Sequence, residues 1–266
     1  MIEKNITIKT PDNIMLDSIL TTPLCWKKSD AMIILVHGIT ADLNESGTYE
    51  KLARRLASKG LASIRFSFRG HGNSSLASEY VTISGECIDL LTILSYCKTH
   101  FSDNISIVAS SFGAVPLGCL CEYLNSQITC LVLLNPVIDT WGTFISPTLD
   151  WGIKNFTGPN IENIYINGFF LIDDYFRIGV VLWEELHQIN PKSKWKKFKQ
   201  PILIIHGNQD SYVSYETSRE LFNSLPTISF ETISGADHGF EIQEDETYVL
   251  LKTEEYLLHH HFSDHE

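Results

Sequence analysis

Short, uninterrupted apolar runs recur along this chain, and they limit its fold more than any other feature. Such runs fit parallel strands covered on both faces, because a strand with one solvated face would alternate with polar residues. The runs are Met32–Val36, Cys130–Leu134 and Pro201–Ile205, and Leu61–Phe68 is a further predicted strand. Stretches with helical spacing of apolar residues lie between them, at Glu50–Ser58 and Ser84–Thr99. This alternation predicts an α/β fold with a mostly parallel, doubly wound sheet and right-handed crossovers.

The remaining segments extend the same pattern at both ends. Ile6–Ile8 and Met15–Leu20 are separated by a turn and predict a hairpin at the edge of the sheet. The other predicted elements are a helix at Val115–Leu124, a helix at Tyr215–Leu225, a strand at Ile228–Ile233 and a closing helix at Tyr248–Leu258. We therefore expect one core domain made of residues 1–140 and 200–266.

Residues 141–199 break the alternation, and we interpret them as an insertion that forms a lid over the core. The chain has 14 Phe, 5 Trp and 10 Tyr, and 12 of these 29 aromatic residues fall within this segment, where an even spread would place about 6. They are Trp141, Phe144, Trp151, Phe156, Tyr165, Phe169, Phe170, Tyr175, Phe176, Trp183, Trp195 and Phe198. An insertion beyond the carboxyl ends of parallel strands lies above the usual ligand site. The aromatic residues either line a pocket or hold the insertion to the body, and both alternatives stay open.

Composition excludes several classes of function. The formal net charge of −12 argues against nucleic acid, whose phosphates would be repelled. No apolar run reaches the roughly 18 residues that a membrane span needs. The six cysteines form no C-x-x-C pair and no zinc-like spacing, so we expect a reducing, cytoplasmic location and neither cofactor nor metal. The histidines near the end, His259–His261 and His265, are expected to be a solvated tail.

The stretch Asn104–Ala114, NISIVASSFGA, predicts a strand followed at once by a tight turn of small residues. A serine in such a turn, with a helix after it, is held in a strained conformation that exposes its hydroxyl above the sheet. Only small residues fit two positions before and after this serine. Ser111 has Ala109 and Gly113 at these positions, whereas Ser110 has larger neighbours. Ser111 is therefore the predicted nucleophile.

A serine hydroxyl needs a base to remove its proton, usually a histidine oriented by a carboxylate. In an open α/β sheet these partners follow later strands in the order serine, acid, histidine. Asp210 follows the predicted strand Pro201–Ile205, and His238 follows Ile228–Ile233. We therefore predict Asp210 as the acid and His238 as the base.

Other candidates for these roles were weighed. Asp139 follows an earlier strand and is the alternative acid, while Asp237 is adjacent to His238 and is expected to point away from it. We expect three further histidines to be structural hydrogen-bonding groups, namely His37, His71 and His206.

An acyl-transfer site also needs donors for the developing oxyanion. We predict the backbone N–H of Phe112, directly after the nucleophile, as one donor. The second is expected after the strand Met32–Val36, at Ile39, with Thr40 as the alternative.

Four stretches of the chain, LVHGITADLNES (35–46), ASIRFSFRGHGNS (62–74), PILIIHGNQDSYVS (201–214) and ISGADHGF (233–240), resemble the α/β-hydrolase superfamily. Within it the chain is similar to bacterial feruloyl and cinnamoyl esterases. The resemblance implies serine esterase chemistry on a small-molecule ester, with a lid between the sixth and seventh core strands. The chain departs from these esterases at Ala109 and Ser110, where they usually carry glycine and histidine, and Ser67 occupies a position often held by aspartate in the superfamily.

A second resemblance is to the acyl-ACP thioesterase of bacterial bioluminescence, whose elbow is also of an Ala-Ser-x-Ser type without a leading glycine. It implies thioester substrates on an acyl carrier protein or coenzyme A. Lys192, Lys194, Lys196, Lys197 and Lys199 could then form a docking patch, although such a run is usually a solvated face. A ligand-binding protein with a hydrolase-like fold and no turnover is a third hypothesis. The sequence leaves the oligomeric state open.

Overall fold

The computed structural model describes residues 1–27, 30–162, 164–223, 225 and 227–262. Among these residues, eight strands form one sheet in the order β1-β2-β4-β3-β5-β6-β9-β10. The strands are β1 (Ile2–Lys9), β2 (Met15–Thr22), β3 (Met32–Val36), β4 (Ala62–Phe66), β5 (Ile105–Ser110), β6 (Leu131–Leu134), β9 (Ile202–Gly207) and β10 (Ile228–Ile233). A separate antiparallel pair consists of β7 (Phe169–Ile172) and β8 (Phe176–Gly179). The predicted doubly wound α/β architecture is confirmed.

Helices connect the strands and cover both faces of the sheet. They are α1 (Thr48–Ser58), α2 (Ile83–His100), α3 (Ala114–Cys119), α4 (Cys121–Leu124), α5 (Asp150–Phe156), α6 (Pro159–Glu162), α7 (Ile164–Asn167), α8 (Val180–Gln188), α9 (Tyr215–Phe222) and α10 (Gln243–Phe262). None of the described helices is both long and apolar enough to cross a membrane.

The central strands of the sheet are parallel and packed on both faces. β3, β4, β5, β6, β9 and β10 pair in parallel, whereas β2 pairs antiparallel with both β1 and β4. Alternate residues of β3 enter different hydrophobic clusters: Ile34 belongs to the one that includes α2, and Ile33 to the one that includes α1 and α10. The carboxyl ends of the parallel strands consequently meet at one edge, where loops can bring distant residues together.

Several element ends differ from the prediction. The predicted helix Val115–Leu124 is divided into α3 and α4 at Leu120, whose backbone (φ −98°, ψ 8°) leaves the helical region. This break lies where α3 packs against the end of the insertion: a Cβ on Gly118 would lie 2.7 Å from Pro191. Tertiary packing of this kind leaves no mark in the local apolar spacing. The predicted helix Tyr215–Leu225 ends at Phe222, and Ser224 within it lies outside the described residues.

The expectation of a solvated histidine tail at His259–His261 was wrong. These residues form the last turn of α10, where a helix favours basic side chains, and acidic residues begin the same helix. His261 Nε2 lies 2.9 Å from Ser106 Oγ on β5, and burial lowers the pKa of His261 to about 4. His265 lies outside the described residues.

The insertion lies between β6 and β9. It contains a π-helical turn (Trp141–Ile145), α5 to α8, the β7–β8 hairpin and a 3₁₀ segment (Pro191–Lys197). Its aromatic side chains Phe144, Phe156, Phe170 and Trp183 form a buried cluster that also includes Phe112 of the core. Trp195 is fully buried and packs against Phe222 of α9. Much of the aromatic excess therefore holds the insertion to the sheet.

Candidate active site

Ser111 lies in the sharp turn between β5 and α3. Its φ is +49°, in the left-handed region that is uncommon for residues other than glycine. Gly113 makes this turn possible, because a Cβ there would lie 2.6 Å from the carbonyl oxygen of His37. The turn at Ser111 therefore packs directly against the end of β3. Ser110 points elsewhere: its hydroxyl lies 2.9 Å from the Tyr49 hydroxyl.

The structure brings Ser111, His238 and Asp210 together in one hydrogen-bonded chain. His238 Nε2 lies 2.9 Å from Ser111 Oγ, and His238 Nδ1 lies 2.8 Å from Asp210 Oδ2. Asp210 follows β9 and His238 follows β10, so two adjacent strand ends bring them to Ser111. The three predicted residues thus meet within hydrogen-bonding distance.

Asp210 is buried and accepts hydrogen bonds at both carboxylate oxygens. Oδ1 accepts from the backbone N–H groups of Tyr212 and Val213, each at 2.8 Å. Oδ2 faces His238 and also His206 Nε2, at 3.1 Å. Burial alone would raise the pKa of Asp210, but the two histidines outweigh it and lower this pKa. The carboxylate is therefore ionised at neutral pH.

The ionised Asp210 determines which nitrogen of His238 carries the proton. A carboxylate can only accept, so His238 Nδ1 must donate to it. In the neutral imidazole this leaves Nε2 free to accept the proton of Ser111. Burial alone would lower the pKa of His238, but the charge of Asp210 raises it overall. The backbone of His238 is held as well, because the Asn135 side chain donates to its carbonyl oxygen.

The alternative acids lie in other surroundings. Asp139 binds the Lys192 ammonium group at 2.7 Å and the Asn190 side chain at 2.8 Å, and it lines a separate small cavity. Asp237 accepts hydrogen bonds from the backbone and hydroxyl of Ser211. Its carboxylate also accepts from the backbone N–H of His238 at 2.7 Å, rather than from the imidazole.

Contacts between histidine side chains and its carbonyl groups hold the loop after β3 next to Ser111. A Cβ on Gly38 would lie 3.1 Å from Ser111 Cβ, so this loop passes directly beside the serine. His37 Nδ1 donates to the Gly38 carbonyl at 2.7 Å, and His71 Nε2 lies 2.7 Å from the Ile39 carbonyl oxygen. Because N–H and C=O point in opposite directions across a trans peptide, these bonds also set the directions of the Ile39 and Thr40 N–H groups. His37 and His71 are structural hydrogen-bonding groups, as predicted.

Glu45 is a further acidic residue at this loop, and sequence reasoning missed it. Its Oε2 accepts the Gly38 N–H at 2.8 Å, and its side chain lines the same cavity as Ser111 and His238. Burial raises the pKa of Glu45 to about 7, although the bond from Gly38 favours the carboxylate. Glu45 and Ser46 both have positive φ values, 45° and 54°, a strain that local sequence does not reveal.

A cavity of about 360 Å³ opens above Ser111 and His238. Its walls include Phe144, Trp151 and Tyr175 of the insertion together with Tyr212 of the core. Tyr175 bridges to the core, since its hydroxyl donates to the Thr40 carbonyl at 2.8 Å. Of the two alternatives for the aromatic residues, both apply: these three line the cavity while others pack the insertion.

Two of the five clustered lysines are engaged in ion pairs. Lys192 pairs with Asp139, and Lys197 pairs with Glu122 at 2.8 Å. The described residues contain no group of three or more His, Cys, Asp or Glu side chains arranged to hold a metal ion.

The chain is similar to several known proteins. A family model described as "Serine aminopeptidase, S33" matches residues 27–169, more than half of the chain. An uncharacterized abhydrolase domain-containing protein of Dictyostelium discoideum is 24% identical over 261 residues. That alignment covers 84% of this chain but 26% of the relative, so the chain spans about a quarter of that protein's length.

Solved structures share the fold over nearly the whole chain. Est1E of Butyrivibrio proteoclasticus with bound ferulic acid has a TM-score of 0.82 at 24% identity, covering 96% of this chain and 98% of that one. The esterase Pf2001 of Pyrococcus furiosus has a TM-score of 0.73 at 22% identity, and the match covers 98% of this chain and 92% of that one. Mouse alpha/beta hydrolase domain-containing protein 10 has a TM-score of 0.71 at 16% identity, and the match covers 96% of this chain and 98% of that one. These likenesses confirm the predicted α/β-hydrolase fold.

Proposed function

The chain belongs to the serine aminopeptidase S33 family, and from this premise we propose that it is a serine hydrolase that cleaves small carboxylic esters through an acyl-enzyme on Ser111. The observation that carries the proposal is the hydrogen-bonded chain from Ser111 through His238 to Asp210, open to an aromatic cavity. The three residues are proposed as nucleophile, base and acid.

Acylation would begin with attack of Ser111 Oγ on the ester carbonyl carbon while His238 Nε2 takes the hydroxyl proton. The carbonyl oxygen becomes an oxyanion, for which the N–H groups of Ile39 and Phe112 are the proposed donors. The bracing of the Gly38 carbonyl by His37 supports this role for Ile39, because it holds that peptide unit in place. Collapse of the intermediate breaks the bond to the leaving alcohol, which receives the proton from His238.

Deacylation would repeat these steps with water. His238 takes a proton from the water molecule, whose oxygen attacks the acyl carbon. The bond to Ser111 Oγ then breaks, the serine recovers its proton from His238, and the carboxylic acid leaves. Residues 141–199 are proposed as the lid that shields this reaction.

The aromatic walls of the cavity support an aryl or medium-length acyl group as substrate. Phe144, Trp151 and Tyr175 offer ring faces and edges, and a volume of about 360 Å³ suits a small ligand. The same cavity carries the acidic side chains Glu45 and Glu241, which disfavour an anionic acyl group.

The test combines active-site labelling with a substrate panel. We expect a fluorophosphonate to label Ser111, identified by mass spectrometry of the modified peptide, and aryl and medium-length acyl esters to be hydrolysed. The panel also contains matched acyl thioesters and an aminoacyl arylamide. Labelling of Ser110 would overturn the assignment of the nucleophile. The absence of both labelling and turnover would favour the hypothesis of a non-catalytic binding protein, and faster cleavage of the arylamide would contradict the choice of esters.

An acyl thioesterase acting on an acyl carrier protein or coenzyme A is the second candidate. The observation in its favour is the lysine cluster on the 3₁₀ segment Pro191–Lys197, since a carrier protein is acidic. The pairing of Lys192 and Lys197 with neighbouring carboxylates weakens this interpretation. We therefore favour the ester hydrolase.

Replacing Lys194, Lys196 and Lys197 together by serine tests the docking patch. We expect equal kcat/KM for wild type and variant with both a small aryl ester and a carrier-bound thioester, because the proposed ester hydrolase does not use these lysines to bind its substrate. The measurement is kcat/KM for both substrates at low and high salt. A loss confined to the carrier substrate, and fading at high salt, would establish the thioesterase instead.

A further inference from the structure

A stack of three rings connects the insertion to His238. The Tyr212 ring lies parallel to the His238 imidazole, with 4.7 Å between centroids and 9° between planes. Trp151 covers Tyr212 in turn, at 4.8 Å and 21°. Trp151 belongs to α5 of the insertion, whereas Tyr212 follows β9 of the core. The base is therefore covered by a ring that the insertion itself holds.

The two rings that cover His238, Trp151 and Tyr212, are both anchored. The Trp151 indole N–H donates to both carboxylate oxygens of Asp173, at 3.0 and 3.1 Å. Asp173 is fixed in turn by Asn155, whose side-chain oxygen accepts the Asp173 N–H at 3.1 Å. At the other end, the backbone N–H of Tyr212 donates to Asp210, the residue that orients His238. A displacement of Trp151 would thus reach the base through one intervening ring.

Resting on the proposed function, we propose that Tyr212 is a positioning residue for His238 and that Trp151 sets its position from the insertion. The bond to Asp210 fixes one atom of the imidazole, Nδ1, but leaves the ring free to tilt about that contact. The parallel face of Tyr212 removes this freedom and keeps Nε2 directed at Ser111. Offset ring pairs of this kind add stabilisation beyond burial, and an electron-rich ring also favours the imidazolium formed during acylation.

The groups that face the imidazole from every side are consistent with this role. The carboxylate of Asp210 and the hydroxyl of Ser111 engage its two nitrogens. The charged groups around it are Asp210, Glu45 and Asp237, and His206 shares Asp210. Tyr212 supplies the aromatic cover, so leucine at this position would leave all of these charges unchanged.

Tyr212→Leu is the decisive variant, because it keeps the backbone N–H that binds Asp210. We expect its kcat to fall about tenfold while KM changes by less than about twofold. Tyr212→Phe, the matched control, keeps the ring and is expected to retain nearly the wild-type kcat. The rate of labelling of Ser111 by a small fluorophosphonate should fall as kcat does. Trp151→Leu should produce a smaller loss in the same direction, and it remains informative if Tyr212→Leu does not fold.

A spectroscopic readout separates this proposal from the proposed function. The downfield proton resonance of His238 Nδ1–H, assigned by its loss in His238→Asn, reports the bond to Asp210 without any turnover. We expect it in wild type and Tyr212→Phe, and a broadened or missing signal in Tyr212→Leu. Identical signals and identical kcat in the Leu and Phe variants would overturn the positioning role. Lack of ester turnover in the wild type would overturn the proposed function, with this resonance still testing the stack.

Discussion

Replacing Ser111 by alanine is expected to abolish ester hydrolysis, with a loss on the order of 10⁴-fold or more in kcat. The only atom removed is the oxygen that lies 2.9 Å from His238 Nε2, and without it no acyl-enzyme can form. Alanine keeps the same Cβ, so the positive φ at this position adds no new strain. The measurements are kcat for the best ester of the panel and the melting temperature, which should stay close to that of wild type.

Ser110→Ala provides the matched control one residue away. The Ser110 hydroxyl lies near the Tyr49 hydroxyl rather than near His238, so we expect substantial activity and a stability loss of about 1 kcal/mol. Loss of activity in Ser110→Ala with activity retained in Ser111→Ala would show that the turn presents the other serine.

The fold could be predicted because its central strands are buried on both faces. Ile33, Ile34 and Leu35 are all fully buried. Such a run differs clearly from a surface strand, in which apolar and polar residues alternate. The ends of elements were less predictable, since they depend on contacts far along the chain. The acidic first turn of α10 is an example: Glu246 there binds Lys51 of α1 at 2.7 Å.

The meeting of Ser111, His238 and Asp210 could be anticipated because each residue follows a parallel strand. The carboxyl ends of β5, β9 and β10 lie at one edge of the sheet, so residues that directly follow these strands lie close together. Their chemical roles stay predictions until the variants are measured.

Glu45 and Tyr212 could not be found in the same way. Glu45 binds Gly38 from a backbone in the left-handed conformation. Glycine or asparagine would indicate such a conformation in the sequence, but this position is a glutamate. Tyr212 contacts Trp151 only through the packing of the insertion over the core, a contact between residues far apart in sequence. Both depend on tertiary structure rather than on local spacing.

Asp210→Asn is expected to lower kcat by about 10⁴-fold without unfolding the protein. The asparagine oxygen can keep the bonds from the N–H groups of Tyr212 and Val213, which leaves its NH₂ group facing His238 Nδ1. That nitrogen must then accept, so the proton of the neutral imidazole moves to Nε2, where it blocks proton transfer from Ser111. Near wild-type activity in Asp210→Asn, with loss of activity in Asp139→Asn, would transfer the role of the acid to Asp139.

The pH dependence of kcat/KM tests whether Asp210 raises the pKa of His238. His238 acts as a base only when neutral, so kcat/KM of the wild type should rise as the pH increases through the pKa of His238. Asp210 raises this pKa above its ordinary value of 6.5 despite burial, so the rise should be centred above pH 6.5. In Asp210→Asn the attraction is lost, and the rise of the residual activity should move to lower pH.

Because the pKa of Glu45 is about 7, the profile is measured in Glu45→Gln as well, which removes that titration and leaves the one due to His238. A rise that disappears in Glu45→Gln would assign the pH dependence to Glu45 and contradict its origin in the base.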